Sequence, residues 1–145
     1  MLELDDNYFK EEERCGFKIP SMMKRVWAVE MDVLTHIDRI CMEYGLTYYA
    51  AFGTMLGAVR HNGFVPWDDD IDVGMLRKDY DIFIQVAEKE MGDKYQIMTP
   101  EIEKKYACCV TKFQRKDTKF ISYLSDKLEC DQCIFIDIFP FDCIA

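Results

Sequence analysis

AFGTMLGAVRHNGFVPWDDDIDVGM, residues Ala51 to Met75, has a glycine-rich turn at one end and a run of carboxylates at the other, joined by a loop that Pro66 and Trp67 close. In an extended strand alternate side chains share a face, so Asp70 and Asp72 point one way and Ile71, Val73 and Met75 the other. Two carboxylates side by side repel and need a counter-charge. A divalent cation held by oxygens is the usual one. An apolar strand face would have sufficed for folding, so acids placed there point to work with metal and phosphate.

Working outward, Leu46 to Phe52 is rich in strand-forming residues and ends at Gly53. Thr54 to Arg60 reads as a short helix whose first free amides face back to that turn, where a phosphate can bind. Alone, Gly53-Thr54 is no more than a helix cap; the carboxylates that follow give it weight. Asn62-Gly63 is a turn, and the spacing of Tyr80, Phe83, Ile84, Ala87 and Met91 predicts an amphipathic helix over Lys78 to Met91. Upstream, Pro20 opens and Gly45 closes a helix over Ser21 to Tyr44 with one apolar stripe. Residues 1–18 are polar and acidic and read as a short helix or a loosely held arm, leaving 19–145 as the domain.

Downstream, strands are expected at Tyr95 to Met98, Tyr106 to Phe113 and Ile134 to Phe139, with a further edge at Phe120 to Leu124. Asp137 interrupts the apolar Ile134 to Phe139 run and shares a face with Phe135 and Phe139. A lone acid on a buried face neutralises or finds a cation, and a metal shared with Asp70 and Asp72 would serve. Lys112 interrupts another apolar strand and is, with Arg60, the best-placed base to neutralise remaining phosphate charge.

Composition agrees. The chain has 145 residues, half of them apolar, and a net charge of -9, which argues against a broad grip on nucleic acid. No apolar run approaches the roughly 20 residues needed to cross a bilayer, and no secretory signal opens the chain, so a cytoplasmic protein is expected. The seven cysteines are an odd set placed partly in apolar segments, which favours reduced thiols. Cys130 and Cys133 have zinc spacing but no second pair. Neither His36 nor His61 completes it.

Three carboxylates opposite a glycine turn and a helix start match the needs of phosphoryl and nucleotidyl transfer, in which one or two Mg²⁺ ions neutralise growing charge. The same residues carry a family resemblance. GTMLGAVRHNGFVPWDDDIDVGM, the following RKDYDIF, Lys112-Phe113, Asp117-Thr118 and IFIDIFPFD resemble the LicD family of phosphocholine transferase-like proteins, related to fukutin and fukutin-related protein. The resemblance covers about two thirds of the chain. It implies an α/β (α+β) nucleotidyltransferase-like fold, a mixed twisted sheet with helices packed on it. Gly53 and Thr54 stand at the family's glycine motif, Asp70 and Asp72 at its metal-binding acid pair and Asp137 at its third acid. Arg60, Lys112 and Thr118 match family positions expected to bind substrate. Cys133 replaces a usual glycine, and members run on past the third acid, so a domain shortened at its C-terminus is expected.

The implied reaction moves phosphocholine or a similar phospho-alcohol from a CDP-linked donor to a glycan hydroxyl, as in decoration of lipopolysaccharide or teichoic acid. Mg²⁺, or Mn²⁺, would be the cofactor, held by Asp70, Asp72 and Asp137, and Asp137 could take the hydroxyl proton. The glycan acceptor would supply any peripheral membrane association. Two rivals remain open: a nucleotidyltransferase using NTP, and a non-catalytic metal- or nucleotide-binding relative.

Overall fold

The computed structural model describes residues 3–99, 101–102, 109–121 and 132–143. After a short 3-10 turn at Asp6–Phe9, β1 (Glu12–Arg14) and β2 (Phe17–Ile19) form an antiparallel hairpin. Cys15 and Gly16 both take positive φ, 53° and 72°, the mirror-image turn that suits a two-residue hairpin loop. Where a short helix or a loosely held arm was expected, residues 3–19 thus show a 3-10 turn and a hairpin. Lys24, buried in the next helix, reaches Glu12 at 2.7 Å, and Ile19 is fully buried.

Helix α1 runs Ser21–Tyr44, the predicted span. Pro20 stands at its N-cap, and Gly45 ends it at φ 65°, donating its amide to the Cys41 carbonyl. Its stripe of Trp27, Val33, Ile37, Ile40 and Cys41 is buried. Next come β3 (Tyr49–Ala50), α2 (Phe52–His61), β4 (Asp72–Leu76), α3 (Arg77–Glu90), β5 (Tyr95–Met98), β6 (Thr111–Arg115) and β7 (Ile134–Phe141).

Five strands make one mixed sheet in the order β3-β4-β7-β6-β5. β4 and β7 are parallel; the other neighbours are antiparallel. This is the α/β class expected. One sheet face, formed by Ile71, Val73, Met75, Phe113, Ile136 and Ile138, packs against Val33, Ile37 and Ile40 of α1 and Phe83 and Ala87 of α3. Each large side chain fully buried there contributes about 1.5–3 kcal/mol. The opposite face is half-open, and it carries the acids.

Several boundaries differ from expectation. The strand foreseen over Leu46 to Phe52 shrinks to Tyr49–Ala50, because it is a sheet edge and α2 already begins at Phe52. β6 runs Thr111–Arg115, with 109–110 in a bend, and 106–108 lie outside the described residues. Phe120 and Ile121 are not in a strand; 122–124 lie outside the described residues, as does Cys130. β7 continues through Pro140 to Phe141, since its register with β6 ends at Ile138 and the strand is an edge beyond it. Among the described residues no helix is long and apolar enough to cross a membrane.

Candidate active site

With Ile71, Val73 and Met75 no more than 3% exposed on the core side, Asp72 must face the half-open side. The parallel register sets Asp72 opposite Asp137, and the antiparallel register sets Lys112 opposite Asp137. Three candidate side chains from three adjacent strands therefore share one face in a row. Lys112 Nζ donates to Asp137 Oδ1 at 2.8 Å and lies 3.0 Å from the centroid of the Phe135 ring. Asp137 was expected on a buried face; the fully buried face is that of Ile136 and Ile138, and Asp137 is partly open.

Asp70 precedes β4, two residues before its start, in the acid loop. That loop is tied down from two sides. Trp27 Nε1 donates to the Asp68 carbonyl at 3.0 Å, and the Asp68 amide bonds the Val65 carbonyl at 3.0 Å. Trp27 in turn stacks on Phe64, with centroids 4.5 Å apart and planes within 6°. Carboxylate oxygens of Asp68, Asp69 and Asp70 lie within 4.8 Å of one another, close enough to ligate one cation.

Helix α2 brings its N-terminus to the same place. The Ala51 amide bonds the Asp72 carbonyl at 3.0 Å, and the Asp72 amide donates to Thr54 Oγ1 at 2.8 Å, so both sides of Asp72 are clasped by the helix start. Thr54 accepts in that bond, which leaves its hydroxyl proton able to donate elsewhere. Phe52 opens the helix at φ 42°, unusual for a residue with a side chain, and its ring meets Phe139 edge-on at 5.0 Å. Gly53 was expected in a turn before the helix; it lies within the first helical turn. Its lack of a side chain matters there, since a Cβ would run into the Asp68 carboxylate. The free first-turn amides and the positive end of the helix therefore stand beside the acids.

The electrostatics follow from this crowding. Burial, then the charges of Asp72, Asp68, Asp69 and Asp137, push the Asp70 carboxyl up to about 6. Asp72 is pushed up to about 6 by burial, then Asp137 and Asp68, against the opposing pull of Lys112. Asp137 is also raised by burial, with Lys112 holding it back. These acids lack the positive charge that would let all of them ionise. A divalent cation would supply it, and the oxygen-only donor set fits Mg²⁺.

A further carboxyl joins them. Glu30 of α1 is 2% exposed, its Oε2 has no hydrogen-bond partner among the described residues, and burial with the nearby aspartates drives it up to about 10. With Asp69 and Asp70 it lines a cavity of about 110 Å³. Its signal was present in the sequence: Glu30 lies three residues after Trp27 and three before Val33, in the middle of the apolar stripe. Counting only the apolar members of that stripe passes over it.

Two candidate residues stand apart from the acids. Arg60 is at the exposed C-terminal end of α2, its Nε donating to the adjacent His61 ring at 2.8 Å. Thr118 braces the segment between β6 and β7, its hydroxyl donating to the Arg115 carbonyl at 2.6 Å and accepting from the Ile134 amide at 2.9 Å.

Comparison with known proteins bears on the same region. The family model described as LicD/FKTN/FKRP, nucleotidyltransferase domain, matches residues 45–144. The chain is 41% identical over 71 residues to the lipopolysaccharide cholinephosphotransferase LicD of Haemophilus influenzae, covering 49% of this chain and 27% of that protein. It is 32% identical over 103 residues to an uncharacterized protein of Rickettsia typhi, covering 66% of this chain and 32% of that one. Against the human ribitol 5-phosphate transferase FKRP it is 38% identical over 48 residues, 33% of this chain and 10% of that protein. The matched stretches thus span less than a third of the length of each of these relatives.

Proposed function

The chain belongs to the LicD/FKTN/FKRP family of nucleotidyltransferase domains, and from that premise we propose that it transfers a phospho-alcohol from a CDP-linked donor to a glycan hydroxyl. The observation that carries this reading is the row Asp72, Asp137 and Lys112 across three strands, facing the start of α2. Two named relatives, a cholinephosphotransferase and a ribitol 5-phosphate transferase, support the phospho-alcohol class.

In this reading Asp70, Asp72 and Asp137 hold Mg²⁺ or Mn²⁺, and of these Asp70 also has carboxylate oxygens of Asp68 and Asp69 within 4.8 Å. The ion, when bound, offsets charge growing on phosphate oxygens and polarises them. The chain's own groups do the rest. The first-turn amides of α2, at Gly53 and Thr54, hold the diphosphate oxygens, as helix N-termini do. Lys112 supplies one more positive charge beside Asp137. Asp137, raised by burial, sits where it can accept the proton of the attacking hydroxyl. Arg60 and Thr118 are left to roles away from the transferred group: Arg60 meeting the distal part of a ligand, Thr118 fixing the approach to β7.

The test is CMP release from CDP-choline and CDP-ribitol with Mg²⁺ and a glycan acceptor, for the wild type and Asp72→Asn. A loss of roughly a hundredfold or more is expected in the variant. Equal rates would remove the acids from the mechanism. The family description also favours a second reading, nucleotidyl transfer from NTP. A thermal shift with CTP but not with either CDP donor would select it.

A further inference from the structure

Resting on the transferase reading, we infer that the outer face of α2 pairs antiparallel with α2 of a second copy of this chain, and that Arg60 of each copy reaches the donor's diphosphate at the other copy's helix start. Phe52, Met55, Leu56 and Val59 recur at helical spacing along that face, and all four are exposed, Val59 by 81%. No charged residue interrupts the run from Phe52 to Val59. Past His61 the apolar surface continues. The Trp67 ring lies 5.8 Å from His61 and 6.2 Å from the Phe17 ring, and both Trp67 and Phe17 are exposed. A contiguous apolar patch of this kind marks an interaction surface. A specific dimer buries roughly 1,200 Å² or more, so the stripe needs that extension on both copies.

Symmetry and charge choose the occupant. An anionic bilayer is a poor partner for a chain of net charge -9. A second copy suits the stripe, because a two-fold axis lays one patch on itself. With the axis passing between Met55 and Leu56, those two side chains face each other across it, Phe52 meets Val59, and Arg60 comes opposite Ala51. The helix dipoles then run in opposite senses, the negative end of one beside the positive start of the other.

Arg60 supplies the charge complementarity. In its own copy it stands seven residues beyond Gly53, about 10 Å further along the helix. It is exposed, its Nε donates to the His61 ring, and no carboxylate pairs with it among the described residues. The helix start of the other copy is short of positive charge. The charges that bear on Asp70 are all carboxylates, and Lys112 is engaged by Asp137. A guanidinium arriving there can fork onto phosphate oxygens held by the first-turn amides. Arg60 would thus serve across the interface, although it stands apart from the acids of its own chain.

Light scattering on the full chain at high micromolar concentration tests the pairing, and calorimetry with CDP and Mg²⁺ tests the shared residue. The wild type is expected to be a dimer that either Met55→Glu or Val59→Lys converts to a monomer. Both positions are exposed, and the two changes carry opposite charges, so a shifted local field cannot explain a shared effect. Arg60→Ala should remain a dimer and bind CDP about tenfold more weakly. Each monomeric variant should lose the same factor, and combining Arg60→Ala with Met55→Glu should add nothing further. Mixing Arg60→Ala with Asp72→Asn protein should restore CMP release, since the mixed dimer holds one site with intact acids and the other copy's arginine. A monomeric wild type would overturn the inference. So would additive losses, CDP binding indifferent to Arg60, or an active wild type whose mixed variants stay inactive. The two readings fail separately. CMP release by a monomer would sink the pairing and leave the transferase standing. A dimer with the non-additive CDP losses but no CMP release from any donor would sink the transferase and leave the pairing.

Discussion

Asp70 and Asp72 are both pushed up to about 6, above the value of about 4 expected in the unfolded chain. Between those values the folded state keeps protons that the unfolded state has lost, so stability falls as pH rises from about 4 to about 6 and stays lower above. A divalent cation removes the cause of that loss. Mg²⁺ should therefore raise the melting temperature more at about pH 7.5 than at about pH 4.5. An equal rise at both would mean that the ion binds elsewhere. At this scale the sequence was partly legible. Alternation alone placed Asp72 opposite the apolar face of Ile71, Val73 and Met75, whereas it set Asp137 on a buried face because Phe135 and Phe139, which share its side, are themselves apolar. Which residue of β7 stands beside Asp72 was not legible, since register between strands 65 residues apart is set by tertiary packing.

Among the elements, α2 shows how two glycines in one helix differ. A Cβ on Gly57 would collide with the Gly63 carbonyl and crowd the Val65 amide, which are backbone and cannot step aside. Gly57→Ala should cost about 1–3 kcal/mol in urea denaturation. A Cβ on Gly53 meets only the carboxylate end of Asp68, a side chain that can turn away. Gly53→Ala should leave the melting temperature nearly unchanged yet lower CMP release by roughly tenfold to a hundredfold, through a displaced acid. Matching losses of stability in both variants would contradict this division. Helix α1 was readable to the residue because proline and glycine punctuate it and its stripe is long. The N-terminal hairpin was not, since its strands are short and charged and one of them is tied to α1 by the Lys24–Glu12 salt bridge; only Cys15-Gly16 marks the turn.

For the molecule as a whole, a buried ion cluster links the sheet to α1 at a distance from the acids. Arg115 donates to Asp32 at 2.6 Å and forks onto Asp117 at 2.6 and 3.0 Å, while the Tyr95 hydroxyl also donates to Asp32 at 2.8 Å. Arg115 and Asp32 are nearly fully buried, whereas the Asp117 side chain is 58% exposed. Arg115→Ala should destabilise by about 3–5 kcal/mol through the charge it strands. Asp117→Ala should cost about 1 kcal/mol or less. Similar costs for the two would show that burial does not govern this cluster. Neither Arg115 nor Asp32 stood out in the sequence, and nothing local pairs Arg115 with a residue 83 positions away.

The sheet order has a consequence for how the protein is made. β7, the last strand along the described chain, occupies the middle of the sheet, between β4 and β6. A ribosome delivers its two neighbours first, each with an open hydrogen-bonding edge and no central strand to seal it. Until residue 134 onwards emerges, those edges stand open to wrong pairing. Because β7 also bears Asp137, the seam that ends this interval is the one that brings Asp137 beside Asp72.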